Sequence, residues 1–393
     1  MIVNPLPIDK SIAQRCAVLG LGFDKTDIGE DVKSTLAAVE KFNMDNPILD
    51  LGNSGTGMRL ITGYLAGMGK NCTLIGDSSL SNRPMKRIAD PLVAWGATIS
   101  LRDNSFPPIK IESSALNSDF KYDLKIPSAQ IKSCLLLAAL ASKTKIEIIE
   151  NTKSRDHTEL LLEECEADIK RFDNKIILDG RKAIKTKFID IPRDFSSAAY
   201  LIAANIISKV DNKIEQTGLN KTRTAFLEVV QEMGVNIEIQ NYSVKSHEPR
   251  GDINVLSSSN LKGVDIRGEI IPNIIDELPL LAVLATFAEG KTTVRDAREL
   301  RYKESDRISL LLKNLRKFNP NIGITEFEDG FEIIPAEQSF DGPVEIETGG
   351  DHRIAMSFMI ASLKSKKNIK FDDMECVETS FPGFFELIKK WYQ

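Results

Sequence analysis

Residues 128–169 read SAQIKSCLLLAALASKTKIEIIENTKSRDHTELLLEECEADI, and they hold the grammar from which the rest of the chain is built. A small polar cluster, SAQIK, opens an apolar run, SCLLLAALA. That run is too apolar on every side for a surface helix, so it predicts a helix buried in a core. KIEIIE alternates with period two, as a strand with one wet face does. NTKSRDHTE is a polar loop, and LLLEECEADI continues as an amphipathic helix that turns toward a further strand.

The same order recurs elsewhere. From Asp194 it reads DFSSAAYLIAANI, KIEQTGLNKTRTA, FLEVVQEMGVNIEI; from Asp276, DELPLLAVLATFA, TTVRDARELRYKESDRI, SLLLKNLRKF. From Gly349 it reads GGDHRIAMSFMIASL, NIKFDDMECVETSFPG, FFELIKKW; from Gly52, GNSGTGMRLITGYLAG, CTLIGDSSLSNRPM, KRIADPLVAWGATI. DKSIAQRCAVLGL followed by DVKSTLAAVEKF makes a sixth copy with its middle strand shortened. Six α/β units predict two domains of three repeats each, with the apolar helices inside and sheets over them. A solenoid would share the spacing, but the buried helices and the count of six favour compact domains.

Composition narrows the function. A chain of 393 residues exceeds one ordinary core, and 42% hydrophobic with 27% charged side chains describes a soluble globular protein. MIVNPLPIDKSIAQR has no apolar h-region, and LPLLAVLATFA falls well short of a membrane span, so a cytoplasmic protein without membrane attachment is expected. The five cysteines, Cys16, Cys72, Cys134, Cys165 and Cys376, form no CxxC pair, which points to reduced thiols and no zinc. A net charge of −5 argues against general nucleic-acid binding. His157, His247 and His352 are too scattered to suggest a metal, and no nucleophilic triad order is present. His157 and His352 read as loop hydrogen-bonders and His247 as exposed.

Each repeat places small or polar residues before its buried helix, where unpaired N–H groups need caps. Arg59, Lys132 and Arg353 stand out, because each falls in the first turns of a strongly apolar helix, where an unpaired cation is costly. Gly52, Gly55 and Gly57 around Ser54 and Thr56 let backbone amides approach an anion, although GNSGTGMR lacks the lysine of a Walker A loop. Lys10, Arg15, Arg59, Arg83, Lys303, Arg307 and Arg353 lie near equivalent ends of the repeats and would line a basic pocket for phosphates and carboxylates. Asp276, Glu304 and Asp306 are the carboxylates available there for proton transfer. In ELRYKESDRI, Glu299 and Asp306 are expected to orient the cations and Arg301 to face solvent.

LGNSGTGMR, SNRPM, PSAQIKS, SRDHTE, RDFSSAAYLIAA, DELPLLAVLATFAEG, ELRYKESDRI, GGDHRIAM and SFPGFFE, in this order, closely resemble the 5-enolpyruvylshikimate-3-phosphate synthase (3-phosphoshikimate 1-carboxyvinyltransferase) family of enolpyruvyl transferases. The match runs from about Pro7 to the carboxy terminus. It implies an α/β (α+β) fold of two domains, an inverse α/β barrel in which each domain has three repeats of parallel buried helices under a four-stranded sheet. Residues 1–8 with 192–393 would form one domain and 9–191 the other, with the active site in the cleft between them. The implied reaction moves the enolpyruvyl group of phosphoenolpyruvate to the 5-hydroxyl of shikimate 3-phosphate and releases phosphate, through a tetrahedral adduct. It implies no metal, no cofactor and no covalent enzyme intermediate, in a monomer acting on small molecules.

Residue by residue, the resemblance makes Lys10, Ser11 and Arg15 binders of shikimate 3-phosphate, with Lys10 shared by phosphoenolpyruvate. Gly55 and Arg83 would contact phosphoenolpyruvate; Ser128, Ala129, Gln130 and Ser154 would hold the sugar phosphate. Asp276 takes the place of the proton acceptor on the 5-hydroxyl, and Glu304 that of the group handling the methylene proton. Lys303 would reach the shikimate part, and Arg307 and Arg353 the phosphoenolpyruvate carboxylate and phosphate. Gly55 also leaves room that predicts glyphosate sensitivity, with Thr56 and Leu60 placed to tune it.

The chain departs from the pattern in places. Ile8 stands for a frequent glycine, Ala13-Gln14 for Ser-His or Ser-Asn, and Thr379 for a lysine that touches phosphoenolpyruvate. One missing cation weakens binding by about 1–3 kcal/mol. The sister transferase acting on UDP-N-acetylglucosamine would bring a reactive cysteine near Ser81–Lys86, where there is none. A non-catalytic phosphate-sugar binding homologue would not need Asp276, Glu304 and Lys10 together. An RNA-phosphate cyclase would need a nucleotide-linked histidine and a more basic surface.

Overall fold

The computed structural model describes residues 6–256, 260–337, 343–364 and 368–390. The chain divides into two compact units: Met1–Pro7, Pro192–Ser243 and Pro249–Gln393 form unit one, Ile8–Ile191 and Val244–Glu248 unit two. Each has its own apolar core. Among the described residues no helix is long and apolar enough to cross a membrane.

Unit two begins with α1 (Lys10–Val18), α2 (Glu30–Val39), β1 (Ile48–Asp50), α3 (Gly55–Met68), β2 (Cys72–Ile75), α4 (Lys86–Trp95), β3 (Thr98–Arg102) and β4 (Phe106–Glu112). It continues with β5 (Phe120–Asp123), α5 (Ala129–Ser142), β6 (Lys145–Ile149), α6 (His157–Glu164), β7 (Asp168–Phe172) and β8 (Lys175–Asp179). Two sheets, ordered β1-β2-β4-β3 and β5-β6-β8-β7, follow one path. A parallel pair flanks a buried helix, then a second helix leads into an antiparallel hairpin. Among the described residues the amino-terminal copy keeps only an isolated parallel bridge between Gly22 and Phe188, in line with its shortened sequence.

Unit one runs through α7 (Phe195–Ser208), β9 (Asn212–Gly218), α8 (Ala225–Glu232), β10 (Asn236–Lys245), β11 (Glu248–Leu256), β12 (Asp265–Ile266), α9 (Ile271–Ile274) and α10 (Leu278–Ala285). It closes with β13 (Thr292–Val294), α11 (Arg307–Phe318), β14 (Gly323–Phe327), β15 (Gly330–Ile334), β16 (Val344–Ile346), α12 (His352–Ser362), β17 (Ile369–Phe371) and α13 (Phe384–Lys389). The order β12-β13-β15-β14 repeats the path a third time. Elsewhere the expected four strands are reduced. The sheet β10-β11-β9 has a single parallel bridge, Arg193–Thr217, where a first strand would lie, and Pro192 beside it has no N–H for a ladder. After the parallel pair β16–β17 the chain enters a 3-10 turn, Glu375–Thr379, and then α13 instead of a hairpin.

The polar clusters ahead of the buried helices are caps first. Asp9 accepts from the Ile12 amide, Ser54 from Gly57, Asp194 from Ser197, Asp306 from Ser309 and Asp351 from Arg353, at 2.8–3.1 Å. Behind the caps α1, α3, α7 and α12 are largely buried, whereas α11 keeps one face wet. In unit two, α3 and α5 pack backbone to backbone. A Cβ on Gly63 would stand 2.1 Å from the Cys134 carbonyl oxygen, and one on Gly67 2.3 Å from that of Ala138. Two glycines one turn apart thereby bring the amino-terminal ends of α3 and α5 side by side. Val244–Glu248, the tip of the β10–β11 hairpin, groups with unit two, which the linear repeat did not show. Its charged residues supply the reason: Lys245 pairs with Asp190, His247 with Glu164 and Glu248 with His157.

Candidate active site

In unit one the expected residues converge on Arg307, the first residue of α11. Its guanidinium is buried and forked onto Asp351, Nε to Oδ2 at 2.7 Å and Nη2 to Oδ1 at 3.2 Å. Nη2 also donates to Glu304 Oε2 at 2.5 Å, and Nη1 to Asp276 Oδ1 at 3.4 Å. Burial pulls this guanidinium's pKa down, but Asp351 and Glu304 outweigh it and hold the group above its ordinary value. Arg353, second residue of α12, donates through Nη1 to the Asp276 carbonyl oxygen at 2.9 Å and to Glu277 Oε1 at 3.4 Å. Its Nη2 lies 3.9 Å from Asp276 Oδ2. Burial lowers the Arg353 pKa and neighbouring Asp276 raises it further, so it too stays charged. Lys303 Nζ lies 3.3 Å from Asp276 Oδ1.

The cluster is layered. Arg307, Asp351 and Glu277 are sealed off, with side-chain exposures of 1%, 0% and 0%, whereas Asp276, Glu304 and Lys303 keep 13%, 17% and 28%. A buried ionic base therefore carries an accessible layer with one base-like carboxylate, a second carboxylate and an amine. Asp276 meets Lys303, Arg307 and Arg353 together, three cations around one accessible carboxylate. Beneath, Ser196 donates to Glu277 Oε1, and Arg223 donates to Ser196 Oγ at 3.0 Å. Asp351 and Glu277 were not among the expected site residues. Asp351 carried a signal as the cap of a helix with an arginine in its first turn; Glu277 looked like part of an apolar helix.

Two residues of ELRYKESDRI fall elsewhere. Asp306 caps α11 and pairs with Arg301 at 2.8 Å, so it neither joins the proton-handling carboxylates nor orients Lys303 or Arg307. Arg301 does not face solvent freely. It also donates to Glu326 Oε1, the Phe327 carbonyl and the Glu328 carbonyl, tying the turn to the β14–β15 hairpin.

In unit two the remaining expected residues sit on α1 (Lys10, Ser11, Arg15), at the starts of α3 and α5 (Gly55; Ser128, Ala129, Gln130), and in the loops before α4 and α6 (Arg83; Ser154). Lys10 Nζ bonds Asp31 at 2.9 Å, with both groups partly exposed. Arg15 is buried and donates to the Ser11 carbonyl (2.7 Å), Thr158 Oγ1 (2.6 Å) and Ser133 Oγ (3.0 Å). Burial pushes its pKa down to about 10, against the pull of Asp9 and Glu159. Gly55 stands where a Cβ would be 2.9 Å from both Arg59 Nη1 and Arg83 Nη1, so its bare Cα makes room between two guanidiniums. Arg59 reaches back to the Gly55 carbonyl at 3.0 Å, and Arg83 bonds the Asn53 side chain. Gln130 Nε2 donates to Thr56 Oγ1 at 3.1 Å, joining the turn that contains Ser128 and Ala129 to the glycine-rich one. Ser154 Oγ donates to Glu150 Oε1 at 2.5 Å.

Lys132 is not available to a ligand. Its amine is enclosed by Glu150 and Glu159, each at 2.8 Å. His157 opens α6, buried, with Nδ1 2.7 Å from Glu248 Oε1; His352 opens α12, also buried, and His247 is exposed. Thr379, where a lysine was the expected family residue, turns its hydroxyl onto the Cys376 carbonyl at 2.7 Å and supplies no cation.

The family model for EPSP synthase (3-phosphoshikimate 1-carboxyvinyltransferase) matches residues 2–388. The 3-phosphoshikimate 1-carboxyvinyltransferase of Petrotoga mobilis is 42% identical, covering 98% of this chain and 95% of the relative. That of Thermodesulfovibrio yellowstonii is 43% identical over 94% of this chain and 86% of its own. The solved EPSP synthase of Acinetobacter baumannii superposes with a TM-score of 0.81 at 35% identity, covering 98% and 94% of the two chains. The enolpyruvyl transferase NikO of Streptomyces tendae shares the fold, with a TM-score of 0.76 at 13% identity over 98% and 94%. The chain belongs to the EPSP synthase (3-phosphoshikimate 1-carboxyvinyltransferase) family.

Proposed function

We propose that this chain joins phosphoenolpyruvate to the 5-hydroxyl of shikimate 3-phosphate, releasing phosphate, and that Asp276 and Glu304 move the protons. The observation that carries the reading is Asp276 itself, an accessible carboxylate held among Lys303, Arg307 and Arg353 on a buried ionic base. Two anionic substrates repel each other, and fixed cations offset that repulsion without reorganising during reaction. In this reading Arg307, Arg353, Arg83 and Gly55 hold phosphoenolpyruvate. Ser11, Arg15, Ser128, Ala129, Gln130, Ser154 and Lys303 hold shikimate 3-phosphate, and Lys10 serves both.

Asp276 accepts the 5-hydroxyl proton as the oxygen attacks C2 of the enol, and Glu304 delivers a proton to the C3 methylene. The product of that step is a tetrahedral adduct. Return of a C3 proton to Glu304 breaks the C2–O bond to phosphate, which leaves with the proton held by Asp276, and forms the enol ether. Glu304 is suited to both directions, because its partner is Arg307, and an incoming anion that draws on Arg307 weakens that pairing. The reading takes the enzyme as a cytoplasmic monomer.

Phosphate release measured with both substrates tests it. Turnover is expected only when both are present, and turnover with UDP-N-acetylglucosamine in place of the sugar phosphate would overturn it. Asp276→Asn and Glu304→Gln are each expected to lower kcat by about 100-fold or more, with shikimate 3-phosphate binding nearly intact by calorimetry.

A further inference from the structure

Gln14 is fully buried in α1, on a chain position where the family pattern led us to expect histidine or asparagine. Its Nε2 faces three acceptors: Ser54 Oγ at 2.5 Å, Thr35 Oγ1 at 3.1 Å and the Asp31 carbonyl oxygen at 3.1 Å. Those acceptors belong to two segments, Asp31 and Thr35 to α2 and Ser54 to the turn before α3, so that Gln14 joins α1 to both. Ser54 caps α3 and immediately precedes Gly55; Asp31 holds Lys10; Thr35 donates to the Asp31 carbonyl at 2.7 Å. Gly57 leaves the space this requires, since a Cβ there would stand 2.4 Å from Thr35 Oγ1, 2.6 Å from Ser54 Oγ and 3.4 Å from Gln14 Nε2.

As packing alone, the position is poorly filled. The Gln14 carbonyl oxygen is buried and without a hydrogen-bond partner, which an isosteric methionine would avoid. What the carboxamide provides and methionine cannot is the three-way junction.

We propose that Gln14 is a positioning residue: it locks the glycine-rich turn at Ser54–Gly55 to the Lys10–Asp31 pair, and so sets the affinity for phosphoenolpyruvate. This rests on the reading that Lys10, Gly55 and Arg83 hold that substrate. With the junction broken, the turn and the lysine are still present but no longer registered to each other. Loss of positioning then falls on substrate affinity more than on the proton-moving groups, which lie in unit one.

The test is steady-state kinetics of Gln14→Met, Ser54→Ala and the double variant, with melting temperature recorded for each. Each single change is expected to raise KM for phosphoenolpyruvate about tenfold, as for loss of one well-placed buried hydrogen bond, with kcat within about threefold. If Gln14 acts through Ser54, the double variant stays near the single ones instead of reaching about 100-fold. Gln14→Asn, which keeps the carboxamide, is expected to recover part of the loss. A lowered melting temperature with unchanged KM, or strictly additive effects, would overturn the proposal. Arg83→Ala separates the two readings. If it leaves KM for phosphoenolpyruvate unchanged, the site assignment fails; if it raises KM while Gln14→Met does not, the positioning role alone fails.

Discussion

Lys132 shows how a single buried charge can be read two ways. In an apolar helix a lysine invites a ligand, yet here Glu150 and Glu159 enclose it inside unit two. Burial pulls its pKa down, but the two carboxylates outweigh that and hold it above the ordinary lysine value. Removing one partner of such a group leaves uncompensated buried charge. Lys132→Met is therefore expected to lower stability by about 3–5 kcal/mol in urea denaturation, a cost set by two stranded carboxylates. Adding Glu159→Gln should return part of it. Arg307 is the contrasting case: equally buried, but with Asp276 and Glu304 at its exposed edge, so its charge reaches the surface through them. The cation types and their places at helix starts were legible in the sequence. Which of them would be sealed by carboxylates was not, because Glu150, Glu159 and Asp351 lie 18, 27 and 44 residues from the cations they meet.

Between elements, contacts are decided by small side chains and by charges at the rims. At the α3–α5 contact, Gly63→Ala would drive a methyl into the Cys134 carbonyl and is expected to cost about 1–3 kcal/mol by overpacking, read as a lower melting temperature. On the surface, Lys313 and then Lys317 of α11 hydrogen-bond Glu347, just after β16, and hold its pKa down to about 2 from an ordinary 4.5. Because the folded value is the lower one, the pairing stabilises fully above pH 4.5 and is lost as pH falls toward 2. In thermal melts across that window, Glu347→Gln should lose stability less steeply than the parent. The repeat itself was visible along the chain, since each copy buries a helix and wets one sheet face. The reduction of the first and last copies to a bridge and a pair of strands was visible only in part, as a shortened segment at the amino terminus.

At the scale of the whole molecule, the functional residues are divided between two units with separate cores, Lys10 in one and Arg353 in the other. If both act on phosphoenolpyruvate, Lys10→Ala and Arg353→Ala should each raise its KM. A double-mutant cycle on the same ligand should then show a coupling of at least about 0.5 kcal/mol. Strict additivity would assign the two residues to different ligands.

The sequence by itself determined the repeating unit, the helices that must be buried, the capped first turns where charge gathers, and the family. All of these follow from local patterning, periodicity and short motifs, which act over a turn or a strand. Tertiary structure alone decided that Arg307 rests on Asp351, that Lys132 is silenced, that Asp306 is a cap, and that Gln14 joins three segments. Those outcomes depend on which carboxylate or hydroxyl meets which cation or amide across tens of residues. Desolvation makes every such pairing in a buried layer compulsory, and only the folded chain brings the partners together.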